Sequence, residues 1–514
     1  MEPIVLTFDI GTQSCRAALV DDKGTILTQA QKKFEKPYIS PKPGWAEQNG
    51  EFYWTSICGV SVELRDKVGE LWNKVAAVSI TTIRDTNICV DENGKPLRPA
   101  ILWLDKREAS ISEPLPLVKQ ALFNAIGMKE SIALIRRASV CNWIMQNEPE
   151  IWKKTYKYLM LSGYMHYCLC GKMIDSTANI IGHVPYDSKN RRWMRKSDLT
   201  YCVFPISRKK LCELCDPGDI IGNITKTASE QSGIPEGLPL VATGSDKGCE
   251  AIGMSCTTPE KASVSYGTTA TIQYTTDKYV EPQQFFPAYP AAMKGHFSPE
   301  IEIYRGFWLI SWFIREFGEK EAKEAERSGV SAEELLNCRL REIPPGCEGL
   351  ILQPYFTAGA SMPKARGAII GFSDVHTRIH IYRAIIEGIV FGLIDGKKML
   401  EKRMKIETKG IYLSGGGSQS TEICQITADM FGVPAYRSQT HEAAVIGSSI
   451  IAFCAIGRFV SIEEATREMV QIKDTFMPDM KKHAFYDKLY RDVFSKIFDR
   501  LSPLYEKSCE MEDL

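Results

Sequence analysis

The chain has 514 residues, with 63 basic and 63 acidic side chains and therefore no net charge. That balance gives no support to a general nucleic-acid binder, which carries a basic excess, or to a charged-tail protein. Hydrophobic residues make up 44% and charged residues 25%, the balance of a soluble globular chain. At ~100–200 residues per domain the length predicts two large domains or three ordinary ones.

The first predicted element is a hairpin. Ile4 to Asp9 is apolar and β-rich, Ile10-Gly11-Thr12-Gln13-Ser14 turns, and Arg16 to Val20 returns. Asp21 to Gly24 turns again into a third strand at Thr25 to Leu27. A helix is expected over 51–68, then a buried parallel strand in the apolar run Val75 to Thr81. A Pro/Gly connector, Ile234 to Pro239, leads through Leu240-Val241-Ala242 to Thr243-Gly244-Ser245-Asp246. The domain boundary is placed there, giving domains 1–250 and 251–514.

The second half opens like the first. Lys261 to Tyr266 is a strand, Gly267-Thr268-Thr269 turns with a positive φ expected at Gly267, and Ala270 to Tyr274 returns. Two Gly-Thr hairpins, one opening each half, point to a duplicated architecture; two unrelated hairpins are the alternative. Helices are expected at 305–317, 377–402 and 419–431, with a strand at 409–413. Ala443 to Ser449 reads as a small-residue helix face packed close to a neighbour, and 461–514 as a charged helical tail capping the second domain.

The 16 cysteines are scattered and no charged, apolar and small-residue leader opens the chain, so reduced thiols in the cytoplasm are expected. Cys212-Glu-Leu-Cys215 has the spacing of half a zinc site or a redox pair, but no second pair stands at ligand spacing. The uncharged stretch from Tyr158 to Gly171 falls short of the ~20 residues of a membrane span.

Three glycine-bearing turns follow apolar strands: Gly11-Thr12, Gly267-Thr268-Thr269 and Gly415-Gly416-Gly417-Ser418. Glycine lets backbone N–H groups approach a ligand, and hydroxyls add donors, which suits phosphate. Neither a G-x-G-x-x-G fingerprint nor a P-loop is present. Asp9 and Asp246 stand at strand ends beside these turns, where one carboxylate could support Mg²⁺ and the other take a proton from a hydroxyl. Turn or helix capping is the plainer role of each alone. Arg84-Asp85 ends the Val75 run and is a candidate for hydroxyl recognition, or a surface ion pair.

Further segments complete a pattern: Gly44-Trp45-Ala46-Glu47-Gln48, Pro99-Ala100-Ile101-Leu102-Trp103-Leu104-Asp105-Lys106-Arg107, and Gly367 to Phe372 followed by His380 to Gly388. With the three turns and Gly244-Ser245-Asp246, in this order from residue 4 to 456, they resemble the FGGY carbohydrate kinases, the group that includes glycerol kinase and xylulokinase.

The resemblance implies an α/β fold of two actin-like, ribonuclease-H-like ATPase domains flanking a central cleft. It implies transfer of the γ-phosphoryl of ATP to a hydroxyl of a small sugar or polyol. Asp246 would be the general base and touch the substrate, and Asp9 would support Mg²⁺. Gly11, Thr12, Gln13 and Arg16, with Gly267 and Thr268, would surround the phosphates, and Gly416 and Gly417 the adenine. Arg84, Asp85, Trp45 and Trp103 would meet the sugar. No nucleic-acid or membrane partner is implied, and a homodimer is allowed.

Departures bear on the substrate. Arg84-Asp85 resembles the Arg-Glu pair of glycerol kinases, but Ile83, Ile135, Val140 and Thr271 break their pattern. Neither subgroup fits, and a pentulose, a tetritol, a deoxy sugar or another polyol remain open. Glycerol is expected to be a poor substrate. Lys247 either binds an anionic substituent or, as a solvated lysine, keeps Asp246 ionised. A catalytically silent nucleotide sensor or assembly subunit is the alternative function. A redox or metal-dependent activator ATPase would need paired cysteines, for which only Cys212 and Cys215 offer themselves.

Overall fold

A hairpin of apolar strands hides its faces only when a sheet grows around it, and this chain builds such a sheet twice. The computed structural model describes residues 3–110, 114–357, 359, 362 and 365–512. The first sheet holds β1 (Ile4–Ile10), β2 (Ser14–Val20), β3 (Ile26–Lys33), β4 (Val75–Thr82), β5 (Ile220–Asn223) and β6 (Pro239–Val241), in the order β3-β2-β1-β4-β6-β5. The second holds β7 (Lys261–Tyr266), β8 (Ala270–Gln273), β9 (Glu300–Ile303), β10 (Gly410–Ser414), β11 (Ala435–Ser438) and β12 (Ile472–Phe476), in the order β9-β8-β7-β10-β11-β12. Taken in these directions, neighbours in both sheets run antiparallel, antiparallel, parallel, parallel, antiparallel. The duplication is present strand for strand, and the hairpins are not unrelated.

Period-2 alternation divides each central strand between two layers. In β1, Leu6 and Phe8 face a core shared with Tyr53, Ile57, Val60 and Leu64 of α1 (Gly50–Val68). Val5, with Val20 and Val241, faces a second core. That core is closed by α2 (Asp246–Gly253) and, from far along the sequence, α6 (Ala443–Ala455). The second sheet packs on α3 (Trp308–Phe317), α4 (Arg378–Met404) and α5 (Thr421–Phe431).

The small-residue face of α6 meets α2. A Cβ on Gly253 would lie 1.9 Å from the Ala443 carbonyl oxygen, and one on Gly447 1.8 Å from that of Cys249. Only glycine permits that approach.

The tail departs from its all-helical expectation. It contains β12, whose sequence Ile-Lys-Asp-Thr-Phe lies on an open sheet edge with only Phe476 buried, so no buried-strand pattern marks it. Helices Met480–Leu489 and Ser495–Glu512, with the π-helical turn Tyr490–Phe494 between them, then cover the second core through Tyr486, Phe494 and Ile497. Residues 513 and 514 of the expected tail lie outside the described residues. None of the described helices is long and apolar enough to cross a membrane.

Candidate active site

Parallel strands that end side by side leave a crevice beyond their carboxyl ends. Ile10 pairs with Thr82 at the ends of β1 and β4, and Ser265 with Ser414 at the ends of β7 and β10. The first phosphate-type turn, the Arg84 segment, the Gly267 turn and the Gly415-Gly416-Gly417 turn therefore follow equivalent strands of the two sheets. Asp246 follows β6.

In the first turn the Gly11 amide donates to the Ser14 carbonyl at 2.9 Å, and Gln13 is exposed at the tip. The Thr12 hydroxyl accepts from Trp103 Nε1 at 2.9 Å. Asp9 is buried and pairs across the hairpin with Arg16 at 3.2 Å, and Arg16 reaches Glu442 at 3.0 Å. Burial pushes the Asp9 carboxyl up to about 7; Arg16 opposes this, while Glu442 and Asp246 add to it.

In the second half, Thr268 is exposed and the Gly267 carbonyl accepts from the Phe307 amide at 3.0 Å. Gly267 does not take the expected positive φ. Its open side faces Lys247 instead, whose Nζ lies 3.8 Å from where a Cβ would stand. Gly416 is exposed with open space at its Cα, as a ligand-facing residue requires. Gly417 is buried, and a Cβ there would lie 2.2 Å from the Phe307 ring, so it serves the packing behind the turn.

Arg84 and Asp85 do not act as the adjacent pair the sequence suggests. Arg84 crosses to the second sheet, donating to both oxygens of Glu300 at 2.8 and 2.9 Å and to Glu302 at 2.8 Å. Asp85 turns the other way, accepting from the His183 amide at 3.0 Å and lying 2.6 Å from His183 Nδ1. Its backbone has φ 46°, a left-handed conformation that Asp tolerates. Gly182 makes room: a Cβ there would stand 2.2 Å from Asp85 Oδ1.

Asp246 begins α2 behind the cap Ser245, whose hydroxyl accepts from the Gly248 amide at 3.4 Å. One carboxylate oxygen accepts from the Lys247 amide at 2.8 Å. Burial raises the pKa of Asp246, while the charges of Arg84 and Lys247 pull it down. Lys247 is not a solvated lysine: its Nζ is held 2.8 Å from Glu250 and bonds Ser265 on β7.

The model of the FGGY family of carbohydrate kinases, N-terminal domain, matches residues 4–253, and that of the C-terminal domain matches residues 262–456. The chain belongs to the FGGY family of carbohydrate kinases. It is 28% identical to a xylulose kinase of Lactococcus lactis over 99% of both chains. It is also 28% identical to a glycerol kinase of Burkholderia cenocepacia, over 93% of this chain and 94% of that one. The crystal structure of a gluconate kinase from Lactobacillus acidophilus superposes with a TM-score of 0.82 at 21% identity, covering 99% of this chain and 100% of the other. The fold is the actin-like ATPase fold, and the protein is a carbohydrate kinase.

In this kinase the Trp45 and Trp103 motifs interlock. The Ala46 amide donates to Asp105 at 2.6 Å, and Arg107 bonds Asp105 at 2.8 Å and forms an ion pair with Glu47 at the same distance. Arg107 covers the Trp45 ring at 3.8 Å, and Lys42 lies 4.8 Å from the same ring. Trp45 thus carries a cation on its ring and ties the two motifs together. Trp103 is the member of the pair that reaches the first glycine turn, through Thr12.

Sequence reasoning missed Glu300, Glu302, His183 and Glu442. The alternation Glu300-Ile301-Glu302 in an edge strand carried a signal, since period 2 puts both carboxylates on one face. Among the described residues no group of three or more His, Cys, Asp or Glu is placed to hold a metal ion alone. Asp9 nevertheless fits Mg²⁺, because its buried carboxyl feels two further carboxylates, Glu442 and Asp246, and Mg²⁺ is commonly held by one carboxylate plus phosphate oxygens and water. Cys212 and Cys215 are free thiols whose pKa values burial raises.

Proposed function

We propose that this kinase phosphorylates a hydroxyl of a small sugar or polyol with Asp246 as general base. The observation that carries the reading is the placement of Asp246, whose charge is felt by Asp9 at the first phosphate turn and which itself feels Arg84 on the acceptor side. A carboxylate between donor and acceptor is where an in-line transfer needs a base.

The acceptor hydroxyl gives its proton to Asp246, its oxygen bonds the γ-phosphorus, and the bond from that phosphorus to the bridging oxygen breaks to release ADP. The raised pKa of Asp246 moves the base toward working pH. Thr12, fixed by the Trp103 donor, keeps its own O–H for phosphate, and Arg16, Gly11, Gln13, Gly267 and Thr268 supply the rest of the cradle. Gly416 faces the nucleoside. Asp9 would hold Mg²⁺, which supplies charge neutralisation of the phosphates when bound. The silent-sensor alternative is not favoured, because Asp9, Asp246 and both Gly-Thr turns are in place. The sixteen free thiols suit a reducing compartment, and we place the reaction in the cytoplasm.

A panel of ketoses, aldoses and polyols read by ADP release tests this. One or more acceptors should stimulate ADP release well above the acceptor-free rate; no stimulation by any of them would sink the reading.

A further inference from the structure

Asp85 stands just beyond the carboxyl end of β4, at the crevice, but each of its oxygens already accepts from His183. Oδ1 takes the main-chain amide at 3.0 Å and Oδ2 faces ring Nδ1 at 2.6 Å. The Asp85 amide closes the pair, donating to the Ile181 carbonyl at 3.2 Å. On its other sides His183 is held by Cys141, whose Sγ donates to its carbonyl at 3.7 Å, and by the edge of the Phe204 ring at 5.8 Å. The imidazole is thus fixed by residues from separate parts of the first half.

One polar atom of the ring is left unused. Nε2 has no hydrogen-bond partner among the described residues and is not sealed from solvent, and the His183 side chain is 29% exposed. His166 beside Asp175 shows the purely structural arrangement, in which both side chains are fully buried. The Asp85–His183 pair also faces the reacting groups. Arg84, next in the chain, crosses to Glu300 and Glu302, and the charge of Asp85 is felt at Tyr304, whose carbonyl accepts from Thr269 of the second glycine turn. Burial opposes the imidazolium, but Asp85 outweighs it and raises the His183 pKa, which favours a proton on Nε2. A free carboxylate here would accept from sugar hydroxyls; a protonated ring donates to a sugar oxygen instead.

We propose that His183 binds the acceptor, donating from Nε2 to one of its oxygens, and that Asp85 is a positioning residue acting through it. The proposal rests on the kinase reading of the cleft.

Two substitutions separate contact from scaffolding. His183→Asn keeps a donor where Nδ1 stands and removes Nε2. His183→Gln sets a donor near Nε2 and gives up the bond to Asp85. With the best acceptor of the panel, His183→Asn should raise acceptor KM by ~10-fold or more, as on loss of a charge-assisted hydrogen bond, with KM for ATP within about twofold. His183→Gln should recover most of that loss. Analogues each lacking one oxygen of the acceptor give a readout that a structural role does not move. One of them should lose ~10-fold in kcat/KM on the wild type, yet be used within about twofold of the parent acceptor by His183→Asn. Isothermal titration of acceptor in the presence of a non-hydrolysable ATP analogue measures binding apart from turnover, and the affinity for that analogue reports folding. Where His183→Asn does not hold nucleotide, His183→Gln carries the comparison: its analogue series should follow the wild type, and a flattened series overturns the proposal. An unchanged acceptor KM in His183→Asn, damage confined to His183→Gln, or the same analogue series in His183→Asn and the wild type overturns the proposal alone. Acceptors that bind in the expected pattern without turnover overturn the kinase reading and keep the contact. Neither binding nor turnover across the panel overturns both.

Discussion

Trp103 donates its indole N–H to the hydroxyl of Thr12 across 2.9 Å, joining the platform of the Trp45 and Trp103 motifs to the first phosphate turn. The two residues lie 91 positions apart in sequence. The bond fills an acceptor position on the hydroxyl and so fixes where its proton points. On the proposed reading, a motif on the acceptor side of the cleft thereby sets a donor on the nucleotide side.

Replacing the indole by a ring without a donor isolates that bond. Trp103→Phe should raise KM for ATP by ~5-fold, the value of a neutral hydrogen bond of ~1 kcal/mol. Steady-state kinetics with saturating acceptor checks it. A change confined to the acceptor KM would show that Trp103 acts only on the sugar.

Asp246→Asn keeps the shape of the side chain and cannot take the proton. The kcat should fall by at least ~10²–10⁴-fold, as on removal of a general base, with nucleotide affinity retained. Equilibrium titration with ADP supplies the second number. Wild-type turnover in this variant removes Asp246 from the chemistry.

Arg84→Ala strands two carboxylates. Glu300 and Glu302 lose their shared cation in a site where Glu300 is 2% exposed, and breaking a buried pair costs ~3–5 kcal/mol. The urea midpoint should drop accordingly, and adding Glu300→Gln should recover a good part of the loss. Where the variant is folded, acceptor KM should rise at least ~10-fold with little change for ATP, since a bond to a charged group contributes ~1.5–3 kcal/mol. A stability loss below ~1 kcal/mol would mean that the cluster behaves as an exposed ion pair.

The Asp85–His183 contact predicts a pH dependence of stability. Burial opposes the imidazolium, but Asp85 outweighs it and raises the His183 pKa above 6.5. Burial likewise opposes the carboxylate, but His183 outweighs it and lowers the Asp85 pKa below 3.8. The His183 contribution is complete below its unfolded pKa and is lost as pH rises through the higher folded value. The thermal midpoint should therefore decline as pH rises above about 6.5, and His183→Asn should flatten that limb. Parallel slopes in the two proteins would show that His183 is not charged in the native state.

What the sequence disclosed and what it withheld follow the range of the interactions. The Gly11 and Gly267 hairpins were legible because turn chemistry and apolar runs act within a few residues. So was the close-packed face of α6, because small residues at one spacing have one use. The partners of Arg84 lie 216 and 218 residues away on another sheet, and nothing local distinguishes an arginine paired to them from one paired to Asp85. Lys247 read as solvated for the same reason, since Ser265 comes to it only when the two halves meet. The edge strand β12 lacked a buried face to read, and the stacking of Arg107 on Trp45 was not legible because the ring that suits a sugar equally suits a guanidinium.

The glycine crossing of α2 and α6 has a consequence for how tightly the base is located. Where side chains separate two helices, a small displacement of one is absorbed by rotamer shifts in the other. At Gly253 and Gly447 the backbones themselves touch, with no room for even a methyl group, so the joint has almost no mechanical slack. Asp246 stands at the far end of that eight-residue helix. The placement of its carboxylate is thus referred to a fixed point of the scaffold, and its tolerance is set by contact between main chains rather than by the loops around the cleft.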